Sequence, residues 1–159
     1  MDKIKSLTGM LDLYDDGDKT NLAAKLFYLE KKIRDIFLGY KLNEIRTPIL
    51  EDTNLFIRSV GGASDIVNKE IYSFNDRNDK GIALRPEGTA SVIRAIIEKK
   101  LDQTNHKLWY MGPMWRYERP QKGRYRQFNQ AGVEILGIPE GMPEFEMISI
   151  VCSIISEFK

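Results

Sequence analysis

The chain has 159 residues, 42% of them hydrophobic and 30% charged, with 24 Lys+Arg against 23 Asp+Glu. That describes one globular domain with a core of ordinary size, contains no apolar run near the ~20 residues of a membrane span, and shows no apolar leader after Met1-Asp2-Lys3-Ile4-Lys5. A single cysteine, Cys152, and a single histidine, His106, exclude an internal disulfide, a Cys/His zinc site and a local Ser-His-Asp cluster, and suit a reducing, cytoplasmic setting.

The first element is predicted from Leu22 to Leu38. Leu22, Leu26, Leu29, Ile33, Ile36 and Phe37 recur at helical spacing, with Lys25, Lys31, Lys32, Arg34 and Asp35 on the other face. Thr20 or Asn21 is its expected cap and Gly39 its expected stop. Leu42 to Leu50 reads as a strand, and Pro48 within it suits an edge or an interface because proline lacks the ladder N–H. Asp52 or Thr53 then caps a short helix running to about Val60, ended by Gly61-Gly62. Ile71–Phe74 and Ile82–Leu84 flank the turn-rich segment 75–81 as a hairpin. A helix is expected from Gly88 to Lys100, with Val92, Ile93, Ile96 and Ile97 as its inner face. Lys107–Tyr117 and Gln127–Leu136 read as strands joined by the polar loop Pro120–Arg126, and a last helix begins near Pro143. Strands joined by hairpins, with helices at intervals, imply an α+β fold, an antiparallel β-sheet flanked by helices.

From Phe145 to Phe158 nine of 14 positions are apolar, leaving Glu146, Ser149, Ser153, Ser156 and Glu157 as a polar stripe. A helix apolar around most of its circumference is normally buried, yet no later element is there to cover this one. The helix either packs on its own sheet or in a dimer, or belongs to a larger protein; the second reading is the expectation.

Three clusters carry the chemistry. Trp115 to Arg126 holds five cations and one carboxylate, and interleaves Arg with aromatic rings. Arginine forks fit phosphate oxygens and aromatic rings stack on bases; a solvated hairpin tip is the alternative. In the following strand, period-2 alternation puts Gln127, Asn129, Ala131, Val133 and Ile135 on one face, apolar past Asn129 and able to pack on helices. Phe128, Gln130, Gly132, Glu134 and Leu136 share the other face, where an aromatic ring, an amide and a carboxylate flank a glycine. That face reads as the floor of a small-molecule site or as the wet face of an edge strand. The third cluster is Leu84-Arg85-Pro86-Glu87-Gly88-Thr89-Ala90, in which Gly88 permits close backbone approach and Thr89 can donate or accept at the helix start. Glu87 there can equally serve the helix N-terminus alone.

Taken together these residues resemble class II aminoacyl-tRNA synthetases, the histidyl-tRNA synthetase family in particular. Leu7-Thr8-Gly9-Met10-Leu11-Asp12 resembles that family's N-terminal entry, and the helix from Leu22 with Ile45-Arg46-Thr47-Pro48-Ile49-Leu50-Glu51 its motif 1. Leu84–Ala90 resembles its amino-acid-binding loop, and Met114 to Gly137 its motif 2 in the histidine-specific form. The resemblance implies the catalytic core of a class II synthetase that makes histidyl-adenylate from L-histidine and ATP and passes the acyl group to tRNA(His). It implies that Arg116 holds the α-phosphate and the histidine carboxylate, Glu118 the adenine amino group, Arg124 the outer phosphates, and that Phe128 stacks under adenine. Glu87, Gly88, Thr89, Gln130 and Glu134 would surround the histidine. Mg²⁺ would arrive with ATP, no tightly held protein metal is expected, and the motif 1 segment would form a homodimer.

Asp15-Asp16 stand where the family often has proline, and Tyr117 and Asn129 where many members have histidine. The resemblance implies that residues 1–159 correspond to the N-terminal portion of the catalytic domain, with motif 3 and the anticodon-binding domain expected to be absent from them. The expectation is therefore a chain that folds but does not charge tRNA alone. A second reading is the catalytically silent paralogue, the histidine-sensing regulatory subunit of ATP phosphoribosyltransferase. The presence of Arg116, Glu118, Arg124 and Phe128 favours the enzyme.

Overall fold

The computed structural model describes residues 3–14, 21–60, 70–119, 121–139 and 141–158. Thr20, Gly61-Gly62, Asp15-Asp16, Pro120 and Lys159, singled out above, lie outside the described residues. Among the described residues, four helices and six strands occur in the order α1 (Leu22–Gly39), β1 (Asn43–Glu44), β2 (Leu50–Asp52), α2 (Thr53–Val60), β3 (Tyr72–Asn75), β4 (Gly81–Leu84), α3 (Thr89–Glu98), β5 (His106–Trp115), β6 (Gln127–Leu136) and α4 (Met142–Glu157). The fold is α+β, as expected, and no helix among the described residues is long and apolar enough to cross a membrane. The strands form two three-stranded sheets, β1-β5-β6 and β2-β4-β3. The chain divides into two compact units, one built from Met1–Asp12, Arg46–Leu101 and Met111–Gly132, the other from Leu13–Ile45, Asp102–Tyr110 and Val133–Lys159.

In the first unit, β4 pairs antiparallel with both β2 and β3, so β2 is an edge strand. The strand expected over Leu42–Leu50 is two strands instead. Pro48 cannot donate to a ladder and restricts Thr47 before it, so β1 ends at Glu44 and β2 begins at Leu50. The β1 ladder also departs from the antiparallel expectation, running parallel to β5 with Asn43 opposite Leu108. The hairpin β3–β4 turns around the Asp76 carboxylate, which accepts the amides of Asn78 (2.8 Å) and Lys80 (2.9 Å). Asp52 caps α2, its Oδ1 accepting Asn54 N–H at 2.9 Å. Phe56, Ala83 and Ala90 form a buried cluster, with Leu55 and Ile71 against it.

Helix α3 buries Ala90, Ser91, Val92, Ala95 and Ile96. Ile97, expected on the inner face, is 60% exposed. At 100° per residue it lies opposite the arc centred between Ala95 and Val92, whose small residues allow close approach. β5 ends at Trp115, two residues before its expected end, because Tyr117 N–H leaves the strand to bond Glu70 O at 2.7 Å.

In the second unit, Phe37, Leu42, Trp109 and Ile150 are buried, with the Phe37 and Trp109 ring centroids 5.3 Å apart. Asn21 occupies the cap position of α1 but makes no side-chain cap bond. Gly39, expected just beyond the helix, is its last residue; Lys41 takes the left-handed conformation (φ 57°) instead. Leu42 N–H then reaches Phe37 O and Lys41 N–H reaches Leu38 O, a Schellman closure whose buried Leu42 and Phe37 repay the strained lysine.

Helix α4 starts with Glu144 Oε2 accepting Gly141 N–H at 2.7 Å. Its polar stripe faces its own unit: Glu146 pairs with Lys107, Ser153 shares a hydrogen bond with Tyr40 OH (3.0 Å), and Glu157 pairs with Lys32. The Glu157 carboxylate raises the Lys32 pKa, through its hydrogen bond first. Of the apolar residues only Ile150 is buried, while Phe145, Ile148, Val151 and Ile155 stand exposed.

Candidate functional site

The cationic segment forms the loop between β5 and β6. Its base is closed by Arg116 N–H to Arg126 O (2.9 Å), and Arg126 N–H in turn bonds Gly9 O (2.7 Å). The Arg126 guanidinium lies 3.7 Å from the Tyr117 ring centroid and donates from Nε to Glu118 O at 3.1 Å. Gly9 has φ +79°, and a Cβ there would sit 2.8 Å from Arg126 Cγ, so only glycine admits this packing. Near the loop tip Gln121 and Arg124 exchange backbone hydrogen bonds around Gly123, whose φ is +80°.

Arg116 points back from the base. Its Nε donates to Pro86 O at 2.9 Å, and its guanidinium carbon lies 5.1 Å from the Phe128 ring centroid. Glu118 stands between two cations, 3.9 Å from Arg116 Nη1 and 3.5 Å from Arg124 Nη1. Arg116, Glu118, Arg124 and Phe128 together line a cavity of about 570 Å³, completed by Glu70, Gly123, Tyr125 and Asn129. The four residues assigned to the nucleotide by resemblance thus share one concavity. Glu70 was not legible in the sequence; it arrives there through its carbonyl bond to Tyr117 N–H.

The loop Leu84–Ala90 is built otherwise. Glu87 spans the N-terminus of α3, accepting Thr89 N–H (2.6 Å) and Ala90 N–H (2.9 Å) with its two oxygens. This is the capping role weighed in the sequence, and the carboxylate complements the helix dipole. Gly88 is buried with an ordinary φ of −104°. Glu87 and Thr89 line a second concavity of about 730 Å³ with Leu55, Arg58, Ile93 and Ile97, and are not among the residues lining the first.

Along β6, Phe128, Gln130 and Gly132 are partly buried while Gln127, Asn129 and Ala131 are exposed. The face predicted as a binding floor is therefore the more covered one over this stretch, and Ala131, expected on the face that packs on helices, is exposed. Among the described residues Gln130 Oε1 is buried without a hydrogen-bond partner, a state that costs on the order of 1–3 kcal/mol. Glu134 lies four residues further along the strand, in the second unit, partly buried. Among the described residues no group of three His, Cys, Asp or Glu gathers as round a metal ion.

The histidyl-tRNA synthetase family profile matches residues 20–158. A histidine–tRNA ligase of Synechococcus sp. (strain RCC307) is 49% identical over 151 residues, covering 94% of this chain and 35% of that protein. The apo histidyl-tRNA synthetase of S. aureus superposes with a TM-score of 0.79 at 37% identity, over 98% of this chain and 35% of that one. A Bacillus halodurans chain described as an ATP phosphoribosyltransferase regulatory subunit/histidyl-tRNA synthetase superposes at 0.77 over 98% of this chain and 39% of that one; at 21% identity it shares the fold. The chain spans about a third of the length of these relatives. With the family profile covering every helix and strand described above, the chain belongs to the histidyl-tRNA synthetase family.

Proposed function

We propose that this chain carries the nucleotide-binding part, and some of the histidine-binding part, of an enzyme that activates L-histidine with ATP and transfers it to tRNA(His). The observation that supports this best is the cavity shared by Arg116, Glu118, Arg124 and Phe128. Arg116, held by the Pro86 carbonyl, would neutralise charge on the α-phosphate while the histidine carboxylate attacks phosphorus in line. Pyrophosphate leaves, and the adenylate then gives its acyl group to the tRNA 3′-end. Arg124, more exposed, would meet the outer phosphates, Glu118 the adenine amino group and Phe128 the adenine face. Mg²⁺ enters as part of the nucleotide substrate. Such catalysis rests on positioning and charge stabilisation.

For histidine, the unpaired Gln130 Oε1 is an acceptor waiting for a donor, and the ammonium of an amino acid supplies one. By the resemblance, Glu87, Gly88, Thr89 and Glu134 are proposed as histidine ligands as well. Dimerisation is proposed through Arg46–Glu51, which leads into the edge strand β2 and leaves Ile49 and Leu50 exposed. The site of action would be the cytoplasm. The regulatory-subunit reading is less well supported, because a histidine sensor has no need to keep the nucleotide quartet in one cavity.

Calorimetric titration should show weak ATP binding by this chain, lost on Arg116→Ala. It should show no histidine-dependent pyrophosphate exchange, because among the described residues the cations of the cavity come from one loop. In a protein of the relatives' full length, Arg116→Ala should lower that exchange ~10²–10³-fold. Wild-type exchange in that variant would overturn the proposal.

A further inference from the structure

We propose that Arg85 is a positioning residue that sets the direction of the Arg116 guanidinium through the Pro86 carbonyl. The inference rests on the reading of Arg116 as the phosphate-binding cation. Arg85 is 7% exposed, and a guanidinium so buried must spend its donors on protein acceptors. Its Nε donates to Pro113 O (3.1 Å), and its Nη1 to Thr47 O (3.0 Å) and Thr47 Oγ1 (3.2 Å). These acceptors come from two places, the segment entering β2 and the strand β5.

The main chain of Arg85 is held from the same two sides. Its N–H bonds Ile49 O at 3.0 Å, and its carbonyl accepts Trp115 N–H at 3.1 Å. Pro86 follows, buried and with φ fixed by its ring. Once Arg85 is anchored, the Pro86 carbonyl has little freedom, and it is this carbonyl that accepts Arg116 Nε at 2.9 Å.

A second residue points the same way. A Cβ on Gly112 would lie 2.8 Å from Arg85 Nη2, so the glycine leaves room for the guanidinium. Lysine would keep the charge but not the fork that reaches Thr47 and Pro113 together. Because Thr47 lies within the segment proposed for dimer contact, Arg85 also ties that segment to the nucleotide cavity.

The test is hydrogen exchange of the Arg116 Nε–H, read by ¹⁵N NMR on the chain, in wild type, Arg85→Lys, Arg85→Met and Gly112→Ala. Exchange should rise about five-fold in Arg85→Met and in Gly112→Ala, the worth of one ordinary hydrogen bond, with a smaller rise in Arg85→Lys. The β6 amides should exchange as in wild type, which a merely structural role would not allow. If Arg85→Met does not fold, Gly112→Ala, which keeps the arginine, decides the matter. Unchanged Arg116 exchange in the folded variants, or a rise matched by the β6 amides, would overturn the proposal. ATP titration is the second arm: affinity should fall by a similar factor in the same variants. A wild-type chain that binds no ATP would remove the phosphate reading of Arg116, and the exchange measurement would still decide the positioning.

Discussion

Helices α3 and α4 are both rich in isoleucine, yet each treats that isoleucine differently within its own unit. Helix α3 turns Val92 and Ile96 inward with Ala90, Ser91 and Ala95, and leaves Ile97 outside. Helix α4 turns its polar stripe inward, towards Lys107, Tyr40 and Lys32, and exposes Phe145, Ile148, Val151 and Ile155. Small residues let α3 come close enough to bury its apolar arc. The seat of α4 is lined by cations and a hydroxyl, which specific polar partners satisfy better than hydrocarbon does. The side of a helix that faces its neighbours is therefore chosen by what those neighbours need.

One substitution in both helices is the sharpest way to break this comparison. Ile96→Ala, at a site 6% exposed, should cost about 2–5 kcal/mol. Ile148→Ala, at a site 63% exposed, should stay within about 0.5 kcal/mol. Urea denaturation of the two variants checks it, and equal losses would mean that the outward face of α4 is covered in solution.

Charge on that face comes next. Ile148→Glu with Ile155→Glu should weaken any self-association through this face by on the order of a hundred-fold or more, since the two isoleucines together are worth roughly 3–6 kcal/mol when buried. Sedimentation velocity over a concentration series would read this; unchanged association would place the contact elsewhere.

A smaller effect tests the inward face. Glu146→Gln leaves Lys107, whose Nζ also donates to Tyr40 O at 3.1 Å, with a neutral partner. Because both side chains of the pair are partly exposed, the cost should be about 1 kcal/mol, diminishing in high salt. No loss in low salt would show that the remaining contacts of Ile150, Ser153 and Glu157 seat the helix without this pair.

The smallest effect concerns α2, a helix started by a carboxylate. The amide of Asn54, and then Lys80, hold the Asp52 carboxyl below its usual pKa. A group depressed in the native state contributes its full stabilisation above the ordinary carboxylate value and loses it as pH falls through the depressed one. The stability gap between wild type and Asp52→Asn should therefore be present near neutrality and close on acidification below about pH 4. Urea midpoints taken at both ends of that range would reveal a gap independent of pH if the cap acts as a neutral acceptor.

Much of the proposed nucleotide cavity was legible in the sequence, because its residues are local. Arg116, Glu118, Arg124 and Phe128 fall within 13 positions; composition marked the cationic loop, alternation put Phe128 on its face of the strand, and the resemblance assigned all four to the nucleotide. The proposed histidine side was less legible. A binding role for Glu87 could not be separated from helix capping by sequence, and in the structure its two oxygens are engaged in capping. Gln130 could be put on a face of β6, but the lack of a partner for its buried oxygen depends on every element around it.

Sequence alone determined what local chemistry enforces. Helices α1 and α3 follow from apolar periodicity, α4 from its largely apolar composition, the β3–β4 turn from an Asx-rich segment, and α2 from its cap at Asp52. The crowding of cations between β5 and β6 follows from composition. Tertiary structure decided what depends on distant partners. Pro48 divides one apparent strand between two sheets, because Leu50–Asp52 finds β4 while Asn43–Glu44 finds β5. Lys41 rather than Gly39 takes the left-handed turn after α1, because burying Leu42 beside Phe37 outweighs the strain. The face α4 shows outward was likewise settled by Lys32, Tyr40 and Lys107, residues 39 or more positions away in the chain. Periodicity records that a helix has two faces; only the groups packed against it determine which one is covered.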